Sequence, residues 1–188
     1  MLHVRMVIAM VVALSVGTFA VAAGDKTTSN GTWIETRVTD MPSLPMGPFI
    51  RLADGKILTV DTEQNALISP DEGRTWEKRP IFADPVKFSI RPERALLRTR
   101  SGAVILAFCN DKEVANWNWD SRVSDSPGAR APTYAVRSPD GGRTWERPQK
   151  LHDDWTGAIR DIIQTRDGTV VFTSMMMRHN PGRHTVLT

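Results

Sequence analysis

The stretch S-P-D-E-G-R-T-W at residues 69–76 decides the fold, because it returns almost unchanged as S-P-D-G-G-R-T-W at residues 138–145. Seven of the eight positions are identical, which marks an internal repeat. The aspartate of each copy can accept backbone N–H bonds across its own turn, glycine permits positive φ, and tryptophan carries a large ring to bury. We therefore predict two tight structural turns, built by Ser69, Asp71, Gly73, Thr75, Trp76, Ser138, Asp140, Gly142, Thr144 and Trp145.

A second pattern occurs three times, at residues 52–58, 99–105 and 165–171. Each copy is an apolar run, a polar turn with a glycine (Gly55, Gly102 or Gly168) and a second apolar run, which indicates a β-hairpin. The repeating unit is therefore a hairpin, a connection, a strand, an Asp/Gly turn and a last strand, without a helical period. Four short strands that recur in this way are typical of β-propeller blades, so we predict an all-β propeller.

Composition excludes several other classes. Of the 188 residues, 40% are hydrophobic and 24% are charged, which is ordinary for a globular protein and unlike a disordered or collagen-like chain. The net charge of +3 comes from interspersed residues, so nucleic-acid binding is not indicated. The single cysteine, Cys109, excludes a disulfide framework and a cysteine-based zinc site, and its apolar surroundings predict a buried thiol. We find no cofactor motif and predict no metal site.

The first 23 residues have the features of an export signal. A start with one arginine and no acid leads into the apolar run MVIAMVVAL at residues 6–14, and A-V-A at 20–22 offers a cleavage site. An uncleaved anchor is the alternative, although the apolar run is short for a membrane span. We therefore expect a secreted or periplasmic protein with a signal peptide at 1–23, an N-terminal strand segment at 24–46 and a propeller domain at 47–188.

The repeated octapeptide is the Asp-box, and the chain resembles the sialidase (neuraminidase) superfamily, whose fold is a six-bladed β-propeller. The boxes and hairpins that carry the resemblance cover residues 47–174. The motif is specific for Asp-box propellers, but related propellers without sialidase activity carry it too. Because only about two and a half blades can be counted, we expect the chain to be an N-terminal fragment of a longer protein, with a third blade whose third strand is at residues 185–187.

Strand direction indicates where a site could lie. Alternating strands place the glycine turns and the Asp-boxes on one face, and the other face receives the segments 81–94, 109–132, 149–161 and 175–184. Fourteen residues separate Gly55 from Ser69, whereas 36 separate Gly102 from Ser138. Long loops in compact domains are usually functional or disordered, so the longer connection is a candidate for the site.

This long connection contains Trp117 and Trp119 close to Asp120 and Asp125. Two tryptophans beside acids suit sugar stacking and general acid chemistry. The alternative is a loop that only packs against its neighbouring blade. If the loop carries the site, the expected partner is a glycan substrate, possibly sialylated.

Arginines give a second signal. Arg94 and Arg160 each lie eight residues before the glycine of a hairpin, so they occupy equivalent positions, and Arg91 lies just before Arg94. Guanidinium groups that converge at a channel could hold a carboxylate through bidentate hydrogen bonds. The alternative is that Arg94 and Arg160 form ion pairs with Glu93 and Asp161. Arg183, in a turn predicted on the same face, is a further candidate for ligand binding.

The resemblance implies specific chemistry. Sialidases bind the carboxylate of sialic acid with three arginines and use a tyrosine activated by a glutamate as the nucleophile. Ser89-Ile-Arg91-Pro92 resembles the Arg-Ile-Pro element of the family, with isoleucine before the arginine instead of after it. An aspartate on the long loop is implied as the acid/base, with Asp120 as first candidate, Asp125 as second, and Asp161 as an alternative carboxylate. Tyr134, the single tyrosine, is predicted on a third strand and away from the channel.

The expected function is therefore an exported, sialidase-like glycoside hydrolase that removes terminal sialic acid or a related acidic sugar from glycans. The alternatives are a non-catalytic propeller that binds glycan or protein, and a propeller that acts on another sugar. We expect this chain alone to be inactive.

Overall fold

The computed structural model describes Lys26–Thr27, Trp33–Ile34, Val38, residues 44–178 and Arg183–Leu187, with side chains at residues 38 and 44–175. The predicted signal peptide, residues 1–23, lies outside the described residues. The chain divides into one unit at Met1–Pro42 and a second at Ser43–Thr188. In the first unit, the described strands β1 (Lys26–Thr27) and β2 (Trp33–Ile34) form an antiparallel pair.

The predicted all-β class is confirmed. In the part of the chain that the structure describes, the only helical element is a 3₁₀ turn at Asp111–Glu113. The described residues therefore include no helix with the length and apolar character of a membrane span. The other strands are β3 (Ile50–Arg51), β4 (Ile57–Val60), β5 (Asn65–Ser69), β6 (Glu77–Pro80), β7 (Ile90–Arg98), β8 (Val104–Asn110), β9 (Thr133–Ser138), β10 (Gln149–His152), β11 (Ile162–Gln164), β12 (Val170–Phe172), β13 (Ser174–Arg178) and β14 (Arg183–Leu187).

Two four-stranded antiparallel sheets contain most of these strands. Sheet 1 has the order β3-β4-β5-β6, and sheet 2 has the order β7-β8-β9-β10. Each predicted hairpin turn is present, and Gly55, Gly102 and Gly168 all have positive φ. Each sheet is thus a meander of neighbouring strands, in which the glycine hairpin and the Asp-box lie at the same end.

One face of sheet 2 packs on sheet 1. Alternate side chains of sheet 2, including Leu96, Leu106 and Val136, share a core with Leu58 and Ile68 of sheet 1. The second Asp-box fits tightly into this interface. A Cβ built on Gly142 would lie 2.2 Å from Leu58 Cδ1, and the φ of this glycine is +89°. Burial of these apolar faces stabilises the stack of sheets.

The opposite face of sheet 2 packs on β11 and β12. Ala107 and Cys109 of sheet 2 share a second core with Ile159, Ile162 and partly buried Phe172. On strand β11, Ile162 is buried, whereas its neighbour Ile163 is 52% exposed. Side chains alternate between the two faces of a strand, so β11 presents one apolar side chain to sheet 2 and one away from it.

The first Asp-box turn has the predicted hydrogen bonds. Asp71 accepts bonds from the Thr75 backbone N–H at 2.8 Å and the Thr75 hydroxyl at 2.7 Å, and the Ser69 hydroxyl donates to it at 2.9 Å. The Gly73 N–H in turn donates to Ser69 Oγ at 2.7 Å. The Thr75 N–H, followed by the two hydroxyl groups, lowers the pKa of Asp71. This turn is therefore closed by its own side chains, as predicted.

The second Asp-box repeats this pattern. Asp140 accepts bonds from the Thr144 N–H at 2.9 Å, the Thr144 hydroxyl at 2.6 Å and the Ser138 hydroxyl at 2.9 Å. Burial opposes ionisation of Asp140, but the hydrogen bonds from Thr144 and Ser138 outweigh it and lower the pKa to about 2. Trp145 packs against the core between the sheets, as expected for the ring that ends the box. Ser138, Asp140 and Thr144 thus close the second turn in the same way as Ser69, Asp71 and Thr75 close the first.

The last strands differ from the predicted third blade. Residues 185–187 lie in β14, but β14 pairs with β13, while β11 and β12 form a separate two-stranded sheet. β12 and β13 follow one another with only Thr173 between them, and this break divides the pairing into two sheets.

Candidate functional site

Three of the four predicted candidate segments meet at one end of sheet 2. The long β8–β9 connection at 111–132 touches the β10–β11 connection through a bridge between Ala131 and Trp155, where the Thr156 N–H donates to the Ala131 carbonyl at 3.2 Å. The Arg130 guanidinium donates to the Asp153 carbonyl at 2.9 Å. Arg91, at the start of β7, joins the same group. Loop segments that are distant in sequence therefore form a single surface.

Buried hydroxyl groups fix the turn at Thr156, which directly follows Trp155 in the chain. The Thr156 carbonyl accepts bonds from Thr133 Oγ1 at 3.0 Å, from Cys109 Sγ at 3.5 Å and from the Ser174 hydroxyl. Burial raises the pKa of the Cys109 thiol, which suits the predicted inert role. Two residues further on, Ala158 has a φ of 60°, a left-handed conformation that costs about 1 kcal/mol for a residue with a Cβ. The hydrogen bonds to the Thr156 carbonyl hold the turn in place despite this conformational cost.

Three tryptophans form the most prominent feature of the surface. The rings of Trp117 and Trp155 are 4.6 Å apart, and those of Trp117 and Trp119 are 6.3 Å apart. Trp117 is 53% exposed and Trp119 is 50% exposed. We call this group the tryptophan cluster. Sequence reasoning missed Trp155, although its place in the candidate segment 149–161 was a usable signal.

Arg91 lies beside the tryptophan cluster. Its guanidinium carbon lies 5.9 Å from the centre of the Trp155 ring, and its Nη1 donates to Asp111 at 2.9 Å. Its Nε is 3.5 Å from a carboxylate oxygen of Glu93. Two carboxylates therefore neutralise Arg91, and the pairing with Trp155 orients it against the aromatic surface.

Arg94 does not reach this surface. It is only 5% exposed and points between the sheets, where its Nη2 donates to the Val60 carbonyl at 2.7 Å and the Met46 carbonyl at 3.3 Å. Burial lowers the pKa of Arg94. The alternative ion pair with Glu93 does not form, because Glu93 faces Arg91. A part for Arg94 in a carboxylate fork stays a prediction, and its burial argues against direct contact with an external ligand.

Arg160 and Asp161 lie between the Thr156 turn and strand β11, and both are exposed. The alternative pairing between them is not present: Asp161 Oδ1 accepts from the Ile162 N–H at 2.8 Å, and Arg160 carries no ion pair with any described residue. Within the described part of the chain, Arg160 is therefore a cation without an ion-pair partner, and Asp161 is an accessible carboxylate. Arg183 begins β14, but its side chain lies outside the described residues.

The two aspartates predicted as acids have different surroundings. Asp120 binds the Arg122 guanidinium through both carboxylate oxygens, at 2.7 and 3.0 Å, and this pairing lowers the pKa of Asp120. Asp125 is completely buried, and its Oδ1 accepts from the Ser126 N–H at 2.8 Å. A general acid must be protonated and within reach of the leaving group. Neither environment favours that role, which stays a prediction for both residues.

Tyr134 is paired with a glutamate that the sequence did not point to. Its hydroxyl donates to Glu113, which also accepts from Lys150 at 2.7 Å and from Asn110 at 3.0 Å. Tyr134 lies on β9 and is buried against Phe88. Burial and the bond to Glu113 raise the pKa of Tyr134, whereas a nucleophile needs a lowered one. Tyr134 and Glu113 are thus the residue types that sialidases use as nucleophile and activating acid. Here the tyrosine is buried, and the pair has the contacts of a structural hydrogen bond.

No group of three or more His, Cys, Asp or Glu side chains capable of holding a metal ion occurs among the described residues.

Comparisons with known proteins identify no function for this chain. No protein-family profile matches the chain, and no curated protein matches it. Among solved structures, one similar chain is a protein of unknown function from Dyadobacter fermentans DSM 18053, with 20% sequence identity and a TM-score of 0.49. The match covers 77% of this chain and 37% of that one, so the chain spans little more than a third of its length.

Proposed function

We propose that this chain forms part of an exported glycoside hydrolase of the sialidase type, which removes terminal sialic acid or a related acidic sugar from glycans. In this proposal, the tryptophan cluster binds the glycan. The observation that carries it is the pair of half-exposed rings of Trp117 and Trp119, set beside charged groups at the meeting point of three loops. Exposed apolar groups that cluster on a folded surface mark binding sites.

The chemistry of the surface suits a sugar. Flat indole rings present apolar area to the C–H face of a pyranose, and carboxylates such as Asp111 and Glu93 can accept bonds from its hydroxyl groups. Arg91 is already neutralised by these two acids. Among the predicted arginines whose side chains are described, Arg160 is the exposed one without an ion pair to a described acid, so the proposal assigns recognition of the acidic sugar to it.

The propeller is the architecture that best fits the arrangement of sheets. Sheet 1, sheet 2 and the β11–β12 pair follow one another in sequence, and each neighbouring pair shares a core. The exposed Ile163 on the far face of β11 offers apolar area for a further sheet. Both Asp-boxes lie at the end of the sheets opposite the tryptophan cluster, the arrangement expected for successive blades.

The residues of this chain support binding more strongly than cleavage. The only tyrosine of the sequence is buried, and the loop aspartates are buried or ion-paired. Of the three carboxylates predicted for catalysis, Asp161 is the one that remains accessible for acid/base work. These observations favour, as the second candidate function, a non-catalytic Asp-box propeller that binds glycans.

The test measures binding and turnover by the 188-residue chain. We expect 3′-sialyllactose to bind, and we expect Trp117→Ala and Trp119→Ala each to weaken it by about tenfold, or about 1.4 kcal/mol. The matched control is Leu151→Ala, which removes an exposed apolar side chain from β10 and should leave affinity unchanged. Calorimetry or saturation-transfer NMR provides the measurement.

Lactose tests the acidic-sugar part of the proposal. Preference for sialyllactose over lactose that Arg160→Gln abolishes supports an acidic-sugar site, whereas equal binding of both sugars favours a propeller that binds neutral glycans. Turnover of a fluorogenic sialoside would favour the hydrolase over the non-catalytic propeller. We expect no turnover of the sialoside by this chain. Failure of both sugars to bind at about 10 mM would contradict the glycan proposal itself.

A further inference from the structure

A cleft of about 440 Å³ lies beside β10, the edge strand of sheet 2, and contains none of the tryptophan-cluster residues. Its size falls within the range of small-ligand sites, about 300–1,000 Å³. We call it the basic cleft; its lining residues are Lys87, Phe88, Tyr134, Arg147, Pro148, Gln149 and Lys150.

Three cations line the basic cleft, and no acid does. Lys150 is bound by Asp153 and Glu113, each at 2.7 Å, and these bonds raise its pKa. Lys87 and Arg147 are exposed, and neither forms an ion pair with any residue that the structure describes. Two positive charges therefore face the cleft without compensation, which attracts an anion.

The equivalent region of sheet 1 also carries two cations, but they are paired with acids, so unpaired positive charge is not a general property of this fold. Lys78 and Arg79 of β6 follow the first Asp-box as Arg147 follows the second. Lys78 pairs with Glu63 at 2.9 Å, and Arg79 pairs with Glu77. The cations after the first box are thus neutralised, whereas Lys87 and Arg147 at the basic cleft form no ion pair with a described residue.

The wall of the basic cleft is aromatic. The rings of Phe88 and Tyr134 pack edge to face with centres 5.4 Å apart. Lys87 Nζ is 5.9 Å from the centre of the Phe88 ring, and Lys150 Nζ is 5.4 Å from that of Tyr134. Phe88 and Tyr134 are only 8% and 6% exposed, so the charged groups at the edges of these rings are what an anionic ligand would contact.

We propose that the basic cleft is a second carbohydrate site, which binds a sulfate or carboxylate substituent of an acidic glycan through Lys87 and Arg147. The choice of a glycan as the carrier of the anion rests on the proposed function. Guanidinium and ammonium groups bind both kinds of oxyanion, so the two substituents share one chemistry.

The test compares two double variants of the 188-residue chain by calorimetry at low salt. The ligands are a sulfated lactose, its neutral unsulfated counterpart, a digalacturonate and inorganic sulfate. We expect K87Q/R147Q to weaken binding of the sulfated or carboxylated disaccharide by about tenfold or more, and K78Q/R79Q by less than about twofold. Both variants remove two exposed cations, so net charge is matched. Whichever anionic disaccharide binds more tightly identifies the substituent.

The outcomes separate this site from the proposed function. Retained sialyllactose binding by K87Q/R147Q, with loss of the anionic disaccharide, supports the proposal. Equal losses in the two double variants would overturn it, because only net charge would then matter. Binding of the unsulfated disaccharide with equal affinity, or of inorganic sulfate as tightly as the disaccharide, would also overturn it. If Trp117→Ala did not weaken sialyllactose binding, that result would contradict the proposed role of the tryptophan cluster. It would not contradict the proposal for the basic cleft, which is tested by K87Q/R147Q.

Discussion

Sheets 1 and 2 have the same four-stranded meander and the same Asp-box, but they differ in the connection between their second and third strands. In sheet 1 this connection is residues 61–64, closed by Asp61, which accepts N–H bonds from Glu63 at 2.9 Å and Asn65 at 2.8 Å. In sheet 2 it is residues 111–132 and carries Trp117 and Trp119. The repeated residues thus build the scaffold, and the residues without a counterpart build the candidate site.

The largest expected effect distinguishes a glycine in the interface between the sheets from one in an open turn. Gly142→Ala should cost about 3 kcal/mol of unfolding free energy, because it adds steric overlap with Leu58 to the strain of a left-handed residue. Gly55→Ala, with a φ of +85° and no atom within 4 Å of the new Cβ, should cost only about 1 kcal/mol. Urea unfolding at one temperature measures both. Equal costs would show that the second Asp-box does not pack tightly on sheet 1.

An intermediate effect concerns the base of the long connection. Glu113→Gln removes the charge that binds Tyr134 and Lys150, and we expect a loss of about 1–2 kcal/mol that is concentrated in the loop. Hydrogen exchange should accelerate by about tenfold at Ala115 and Arg130, whose backbones bond each other at 2.9 Å. The short connection of sheet 1 is the internal control. Acceleration there as well would mean that Glu113 acts on the whole fold.

The smallest expected effect concerns pH and the second Asp-box. The pKa of Asp140 is about 2 in the folded protein and about 3.9 when unfolded, so its ionised form stabilises the fold above about pH 4. That contribution is lost as the pH falls towards 2. Allowing for solvent screening, we expect Asp140→Asn to reduce the drop in stability between about pH 5 and pH 2 by about 1 kcal/mol. An unchanged drop in urea unfolding would contradict the role of its hydrogen bonds.

Local sequence was sufficient for the scaffold. The two Asp-boxes and three glycine hairpins were predicted from residues within eight positions of each other, because their hydrogen bonds join near neighbours such as Ser69, Asp71 and Thr75. The difference in spacing before Ser69 and Ser138 was also sufficient to place the long connection.

The site could be predicted only in part. Sequence reasoning selected Trp117, Trp119 and Arg91, but it missed Trp155, which contacts both Trp117 and Arg91. That contact joins two loops that are far apart in the chain. The bidentate pairing of Asp120 with Arg122 also depends on side-chain conformation, which residue type and spacing do not specify.

By itself, the sequence determined the β-meanders and their closed turns, because each aspartate, glycine and tryptophan acts within its own turn. Only the tertiary structure decided which charged groups reach the surface. Arg94 and Arg160 occupy equivalent positions in sequence, yet sheet 1 covers Arg94 and supplies the Val60 carbonyl, while Arg160 is exposed. The accessibility of a guanidinium depends on what packs against its strand, and that neighbour lies far away in the chain.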